Sequence, residues 1–126
     1  MQIFGIGTDI IEIARFQRNG EPLGQKFMDR CFHKNEQERL QDRPLENVAG
    51  YFAAKEAVAK ALGTGFVGFR PAAIEICHNK AGKPYVILHD NAAKIAEDCG
   101  VTDITVSISH CKTVATAMAV AVAGET

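Results

Sequence analysis

Four side chains in this sequence are of the types, and lie in the patterns, that could act on a phosphate anhydride: Asp9, Glu56, Lys60 and His110. Asp9 and Glu56 are hard oxygen ligands with no thiol or histidine partner, a donor set that favours Mg²⁺. Mg²⁺ keeps several waters and completes its shell with substrate phosphates. We therefore interpret Asp9 and Glu56 as candidate metal ligands, and Lys60 and His110 as candidate catalytic groups.

Each of these residues also has a plainer interpretation. Glu56 and Lys60 are four residues apart, which favours a surface ion pair worth about 0.2–0.5 kcal/mol. Asp9 could cap a helix that begins near Ile11, and the strand alone leaves capping and cation binding equally supported. A lone histidine such as His110 is more often a satisfied core residue than a catalytic one.

An alanine-rich segment, predicted as a helix over residues 46–62, must position Glu56 and Lys60. Ala, Lys, Glu and Leu are good helix formers, and Gly63 supplies a stop. Small residues cover one face and bulky apolar residues another, so most of the helix is expected to be buried. Amides in the Gly63-Thr64-Gly65 turn could hold phosphate oxygens, although the Walker spacing is absent.

Asp9 lies on a predicted strand over residues 3–13. Gly5 and Gly7 leave space on the face that carries Asp9. Burying a carboxylate in so apolar a strand is costly unless a cation or several donors accompany it. The strand therefore predicts either a cation beside Asp9 or the capping role.

The remaining elements follow from periodicity and turn residues. We predict interrupted helices over 11–45, strands over 73–78 and 85–88, a helix over 91–99 capped by Asp90, and strands over 102–109 and 114–122. The last strand is almost entirely Ala and Val. It is therefore expected to lie in the middle of a sheet or to be buried between subunits.

Length and composition restrict the class of protein. The chain has 126 residues, 47% of them hydrophobic, which predicts one domain with an ordinary core over residues 1–126. The net charge of −1 gives no indication of a nucleic-acid or membrane partner. No segment approaches the roughly 20 apolar residues of a membrane span, and no leader sequence is apparent.

The cysteines are dispersed and lack a Cys-x-x-Cys pair, so we interpret them as reduced thiols of a cytoplasmic protein. None of the Cys–His neighbours has the paired spacing of a structural zinc site. The cysteines are Cys31, Cys77, Cys99 and Cys111.

Basic residues are concentrated in the first third of the chain. The usual explanation is a set of solvated helix faces, and the functional one is a docking patch for an acidic protein. The residues are Arg15, Arg18, Lys26, Arg30, Lys34, Arg39 and Arg43.

Four segments, in order, resemble motifs of one family. Residues 5–15 are similar to the opening motif of the bacterial holo-acyl-carrier-protein synthases, which are 4′-phosphopantetheinyl transferases, and residues 52–65 are similar to their central signature. Gly82-Lys83-Pro84 and residues 107–110 resemble later motifs of that family. The resemblance therefore covers the whole chain.

The resemblance implies an activity, a fold and site residues. The activity is transfer of the phosphopantetheine arm of coenzyme A to a serine of an acyl carrier protein, in fatty-acid or polyketide synthesis, with release of adenosine 3′,5′-bisphosphate. The fold is α+β, an antiparallel sheet packed on a long central helix, assembled as a homotrimer with sites between subunits. Mg²⁺ would bind Asp9 and Glu56, and Arg15 would face the carrier protein. Nucleotide contacts would come from Lys60, Gly63, Thr64, Gly82, Lys83, Pro84, Ser109 and His110.

The group that removes the serine proton is left open. Glu56 acting through a bound water is our choice, with Lys60 or His110 as alternatives. The chain also departs from the family's pattern at two positions, with Tyr51 where arginine is frequent and Cys111 where an acidic residue is frequent. These departures concern partner contacts and local charge, and they leave the proposed metal ligands intact.

Two other functions fit the same residues. A Mg²⁺-dependent nucleotide pyrophosphate hydrolase would use the same carboxylates with water as acceptor. A non-catalytic trimeric module would bind coenzyme A and leave the carrier protein unmodified.

Overall fold

The computed structural model describes residues 1–124 and shows a mixed α+β fold. Within that range, none of the helices combines the length and the apolar character needed to cross a bilayer. In chain order the elements are β1 (Gln2–Glu12), a 3-10 turn (Ile13–Phe16), β2 (Gln17–Arg18), β3 (Glu21–Pro22), α1 (Gln25–Cys31), α2 (Lys34–Leu40), α3 (Leu45–Leu62), a second 3-10 turn (Pro71–Ala73), β4 (Ile74–His78), β5 (Pro84–Leu88), α4 (Asp90–Asp98), β6 (Val101–His110) and β7 (Val114–Ala123).

The main sheet has three antiparallel strands in the order β1-β7-β6. The Ala- and Val-rich strand β7 lies in the middle, which confirms the first of the two predicted alternatives, a central position in a sheet. Its inward alanines are buried against α3, while the outward Met118 is exposed. Small inward side chains let α3 lie close to the sheet, and this closeness sets the position of every residue on the helix.

Two glycines in β1 allow α3 to approach the strand at backbone distance. A Cβ atom on Gly7 would lie 1.8 Å from the carbonyl oxygen of Ala57, and one on Gly5 would lie 2.0 Å from that of Ala61. No side chain can be accommodated at such separations. The predicted cleared face of β1 is therefore confirmed, and the helix backbone fills it beside Asp9.

The predicted helix beginning near Ile11 is wrong. Ile10 and Ile11 continue β1 and pair with Thr116 and Ala115 of β7, because β-branched residues gain more from sheet pairing than from an isolated helical turn. A single 3-10 turn follows, and then a short β2–β3 hairpin turns at Asn19-Gly20, where φ is 54° and 80°. Helix is regular only from α1 onward.

A second correction concerns α4. His89 occupies the N-cap position in extended conformation, and Asp90 is the first helical residue, so Asp90 does not cap the helix as predicted. A carboxylate in the first turn still interacts favourably with the positive end of the helix dipole. The one-residue shift places the His89 ring next to β4, where it contacts Glu75.

A buried ion pair connects α2, α3 and β4. Lys55 Nζ lies 2.5 Å from Glu36 Oε1 and donates to the carbonyl of Ile74, and both charged side chains are 0% exposed. The second oxygen of Glu36 accepts from the amide of Ile76 at 2.7 Å. Burial lowers the pKa of Lys55 and raises that of Glu36, and their mutual attraction opposes both shifts. The pair is therefore fully hydrogen-bonded, as a buried charge must be.

Candidate active site

Asp9 and Lys60 meet where β1 passes α3. Lys60 Nζ lies 3.3 Å from Asp9 Oδ1 and donates to the carbonyl oxygen of Thr8 at 2.9 Å. Asp9 is in the body of the strand, so the helix-cap interpretation is wrong. The main partner of Lys60 is therefore on β1, and the ion pair with Glu56 that the four-residue spacing favoured is not its principal contact.

Glu56 lies one helical turn before Lys60 and is partly buried. Burial and the negative charge of Asp9 raise the pKa of Glu56, while Lys60 and Arg15 lower it. Two carboxylates close enough to repel each other are stabilised in their ionised form by an added cation. Their oxygens form a donor set that suits a hard divalent cation such as Mg²⁺.

A cavity of about 570 Å³ opens beside these groups. Its lining includes Asp9 and Lys60 and also Ser109, one of the predicted nucleotide contacts. The volume falls in the range of small-ligand sites, which is roughly 300–1,000 Å³. A carboxylate, an ammonium group and a hydroxyl thus face one space large enough for a phosphate-bearing ligand.

Other predicted nucleotide contacts surround a different, smaller cavity of about 180 Å³. Gly82, Pro84 and His110 line it together with Tyr51 and His78. His110 is exposed, so its interpretation as a satisfied core residue is wrong. Tyr51 Oη lies 3.0 Å from His78 Nδ1, with the two rings stacked. Within one chain, the predicted contacts are therefore divided between two cavities.

The glycine turn after α3 is a helix cap. Gly63 has φ 84°, and its amide donates to the carbonyl of Lys60, while the amide of Gly65 donates to that of Ala59. The hydroxyl of Thr64 donates to the carbonyl of Gly65 at 2.8 Å. Two of the three amides in the turn are thus already bonded, so a phosphate held there would rely on the remaining polar groups of Thr64.

Gly82 and Lys83 belong to the turn between β4 and β5. Asn79 Oδ1 accepts from the amides of Ala81 and Lys83, and Gly82 has φ 88°. Only glycine adopts that conformation without strain. The Lys83 side chain is exposed, which places an available cation beside the smaller cavity.

The predicted basic patch separates into two kinds of residue. Arg15 and Arg18 are exposed next to β1, and Lys26 is exposed on α1. Arg39 instead donates to Glu75 Oε2 at 3.0 Å and to the carbonyl of Ile76 at 2.7 Å. Arg39 therefore joins α2 to β4, and its guanidinium is engaged within the domain although its side chain is 38% exposed.

Sequence reasoning missed Lys55, which neighbours Glu56 but points into the core. A detectable signal was present, because its helix neighbours at three and four residues are Tyr51, Phe52, Val58 and Ala59, and none of them carries a negative charge that could neutralise an ammonium group. A lysine surrounded by apolar helix positions needs a partner on another element. Glu36, 19 residues earlier, could not be identified from spacing alone.

The chain matches known proteins along most of its length. Residues 5–119 match the model of the 4′-phosphopantetheinyl transferase superfamily. The chain is 43% identical over 127 residues to the holo-[acyl-carrier-protein] synthase of Thermoanaerobacter sp. (strain X514), covering 99% of this chain and 91% of that protein.

Solved structures show the same fold. The holo-[acyl-carrier-protein] synthase of Neisseria meningitidis is 35% identical, with a TM-score of 0.86 over 94% of this chain and 98% of that one. A holo-(acyl-carrier-protein) synthase from Bacillus anthracis str. Ames, in complex with CoA (3′,5′-ADP), is 34% identical, with a TM-score of 0.79 over 98% of this chain and 100% of that one.

Proposed function

The chain belongs to the holo-[acyl-carrier-protein] synthases of the 4′-phosphopantetheinyl transferase superfamily, and on that basis we propose that it transfers phosphopantetheine from coenzyme A to a serine of apo-acyl carrier protein. The products are the holo-carrier and adenosine 3′,5′-bisphosphate. The observation that supports this reaction most directly is the cavity that Asp9, Lys60 and Ser109 share next to Glu56.

The chemistry requires charge neutralisation and in-line positioning more than covalent help. The serine oxygen forms a bond to the phosphorus that carries the pantetheine arm, and the bond from that phosphorus to the leaving phosphate of the nucleotide breaks. Mg²⁺ held by Asp9 and Glu56 would supply neutralising charge on the pyrophosphate. Lys60, exposed at the cavity wall, would contact a phosphate oxygen directly.

Glu56 is our choice for the group that accepts the serine proton, through a bound water. Burial and Asp9 raise the pKa of Glu56 in the metal-free protein, and its carboxylate lies beside the proposed reaction site, where a water could carry the proton to it. Lys60 already donates to Thr8, and it acts better as a cation than as a base. His110 lines the other cavity of its own chain, so it could serve as base only from a neighbouring subunit.

The nucleotide portion of coenzyme A would bind between the two groups of residues. Gly82, Pro84 and His110 line the smaller cavity, and Lys83 supplies a cation at its edge. Gly63 and Thr64 lie at the end of α3, one turn beyond Lys60. Tyr51 takes the position of a frequent family arginine, so in this chain an aromatic ring paired with His78 faces the nucleotide where a cation would otherwise stand.

We further propose that the active protein is a homotrimer. The outer face of the main sheet carries exposed apolar side chains, with Ile6, Ile10 and Met118 exposed by 59%, 67% and 49%. A patch of this kind on a small domain indicates a contact surface. Ile10 and Met118 also line the larger cavity, so closed symmetry that covers the patch would place that cavity between subunits. The division of predicted contacts between two cavities supports a site that combines Asp9 of one subunit with His110 of another.

Mixing two inactive variants tests this assembly. Asp9→Ala and His110→Ala trimers, each with little activity, are expected to regain part of the wild-type rate after subunit exchange, because some mixed interfaces contain neither substitution. Light scattering of the wild-type protein under assay conditions serves as the control. An active monomer, or no recovery after exchange has been verified with labelled subunits, would contradict the shared site.

Carrier docking is proposed for the exposed basic residues that start at Arg15. An acidic carrier would be steered by this charge, and such contacts act mainly on the association rate and weaken with salt. Arg15→Ala is expected to lower kcat/KM for the carrier by about tenfold at low salt, with kcat little changed. Lys94→Ala is the matched control, because Lys94 is exposed on α4 and pairs with Asp98. An equal effect of both variants, or no salt dependence, would refute the docking surface.

Release of adenosine 3′,5′-bisphosphate tests the reaction class. In the presence of Mg²⁺ and coenzyme A, a transferase releases this product only when apo-carrier is added. A pyrophosphate hydrolase releases it without carrier. A binding module releases none in either case, although it still binds coenzyme A by calorimetry.

A further inference from the structure

A second group of potential metal ligands lies away from Asp9. His33 precedes α2, Glu75 lies in β4, and His89 precedes α4. One ligand atom from each lies within 4.8 Å of the other two, and across residues 1–124 this is the one group of three such side chains that converge in this way. None of the proposed catalytic residues belongs to these elements.

We propose that His33, Glu75 and His89 form a second divalent-metal site, suited to Zn²⁺ or a chemically similar transition-metal ion. Two imidazole nitrogens and one carboxylate oxygen are a known set of three protein ligands for zinc, which a water completes. Mg²⁺ prefers oxygen ligands. The two sites would therefore select different ions, Mg²⁺ at Asp9 and Glu56 and a softer ion here.

Glu75 is fixed as an ionised ligand. Its side chain is only 4% exposed, and Oε2 is held by Arg39 at 3.0 Å and by the Cys77 thiol at 3.3 Å. Burial raises the pKa of Glu75, but hydrogen bonds from His89, Arg39 and Cys77 outweigh burial and hold it at about 2. At neutral pH the carboxylate is therefore charged, and Oε1 faces the His89 ring.

His89 Nε2 and Glu75 Oε1 lie 2.8 Å apart, and the ionised carboxylate accepts from the imidazole N–H. A metal ion bound at Nε2 would replace that hydrogen bond, and the proton of the neutral imidazole would move to Nδ1. Arg39 remains on the outer carboxylate oxygen, in the position of the outer-shell groups that orient metal ligands.

His33 would exchange one interaction for another. Its Nδ1 accepts from the amide of Asn35 at 3.1 Å as part of the α2 capping box. Coordination through Nε2 puts the proton on Nδ1 and ends that bond, while the Glu36 half of the capping box, from the His33 amide to Oε1 at 2.8 Å, is retained. Metal binding would therefore replace part of a helix cap with a link between α2 and β4.

The ligand rings can reach a shared ion after a small rotation. The His33 and His89 rings are stacked, with centroids 4.3 Å apart and planes 20° apart. The rings must therefore rotate away from this parallel arrangement before a nitrogen lone pair of each can point at the same ion. Both rings are partly exposed and lie at the starts of helices, which leaves room for that rotation. A cavity of about 510 Å³ opens at His33 and provides access for the ion and its water.

Zinc titration of the full-length protein tests the site. We use a Cys99→Ser/Cys111→Ser background, because these two thiols are exposed, and excess Mg²⁺ to occupy the catalytic carboxylates. One Zn²⁺ per chain is expected by calorimetry, with a rise in Tm of about 5 °C or more at saturation. Co²⁺ should give a spectrum of nitrogen and oxygen ligation without a thiolate band.

Single substitutions locate the ion. His33→Asn is the sharpest variant, because asparagine still caps α2 but cannot replace the imidazole as a ligand. His33→Asn and His89→Gln are each expected to weaken Zn²⁺ binding by at least about a hundredfold, while His110→Asn, outside the cluster, binds as the parent does. The proposal is overturned if the parent shows no saturable zinc site, or if His33→Asn and His89→Gln bind zinc as tightly as the parent. Neither result bears on transferase activity.

Discussion

Replacing Asp9 by Ala is expected to lower kcat/KM for phosphopantetheinyl transfer by about a hundredfold or more while leaving the fold intact. The Asp9 carboxylate is one of the two proposed Mg²⁺ ligands and the ion-pair partner of Lys60. Without this carboxylate, the Mg²⁺ ion that would neutralise the pyrophosphate binds more weakly. The fold loses one partly exposed ion pair, between Asp9 and Lys60. Steady-state kinetics over a range of Mg²⁺ concentrations, with Tm measured in parallel, checks both statements.

The Glu56 carboxyl gives a readout of the site that is independent of activity. Asp9 raises the pKa of Glu56, so Asp9→Asn should shift the Glu56 titration, followed by NMR, to lower pH. Glu56→Gln should reduce the transfer rate as strongly as Asp9→Ala does. The proposed metal site would be refuted if Asp9→Ala kept full activity at ordinary Mg²⁺ concentrations. It would also be refuted if the pKa of Glu56 were the same in Asp9→Asn as in the parent protein.

Replacing Lys55 by Met is expected to lower the free energy of unfolding by about 3–5 kcal/mol. The substitution leaves the Glu36 carboxylate buried without its counter-ion and leaves the carbonyl of Ile74 without its donor. Denaturant unfolding, with the slope of the transition compared between variants, measures the loss.

The double variant Lys55→Met/Glu36→Leu separates two possible causes of the instability of Lys55→Met. One is loss of the attraction between Lys55 and Glu36, and the other is the cost of burying the Glu36 carboxylate without a counter-ion. Removing both charges is expected to recover much of the stability that Lys55→Met loses, because the cost arises mainly from the unpaired carboxylate. Glu36→Gln is a milder control that keeps hydrogen-bonding groups. If the double variant is as unstable as the sum of the Lys55→Met and Glu36→Leu single variants, the two side chains are not coupled and this account of the core is wrong.

Local sequence patterns predict the elements that depend on local chemistry. The segment that became α3 is rich in helix formers and ends at Gly63, and the Ala-Val run of β7 has too little polar surface to lie at an edge. The β4–β5 hairpin follows from its turn residues around Gly82. Each of these features depends on residues that are close together in the chain, so a single sequence is enough to predict it.

The segment after Asp9 shows where the local pattern fails. Charged and apolar residues from Ile11 onward have helical spacing, yet pairing with β7 keeps Ile11 in the sheet. The same limit applies to His89, whose ring contacts Glu75 from another element. A contact between distant segments outweighs a preference of less than about 1 kcal/mol per residue, and spacing along the chain contains no information about it.

The sequence suggests which residues form the candidate site, and that set stays a prediction, but the sequence does not show how they are arranged. The motifs identify Asp9, Glu56 and Lys60, whereas only the fold shows that Lys60 turns to β1 and that His110 lies with Gly82 around a separate cavity. The buried pair of Lys55 and Glu36 and the cluster at Glu75 each join residues far apart in sequence. Such juxtapositions require the tertiary structure.

The intact mass of an apo-acyl carrier protein tests the central claim most directly. After incubation with this protein, Mg²⁺ and coenzyme A, the carrier should gain the mass of one phosphopantetheine group on a single serine, and the gain should be far slower with Asp9→Ala at the same concentration. If coenzyme A is consumed while the carrier mass stays unchanged, the protein is a hydrolase. If neither changes although coenzyme A binds, it is a binding module, and in both cases the proposed transfer is contradicted.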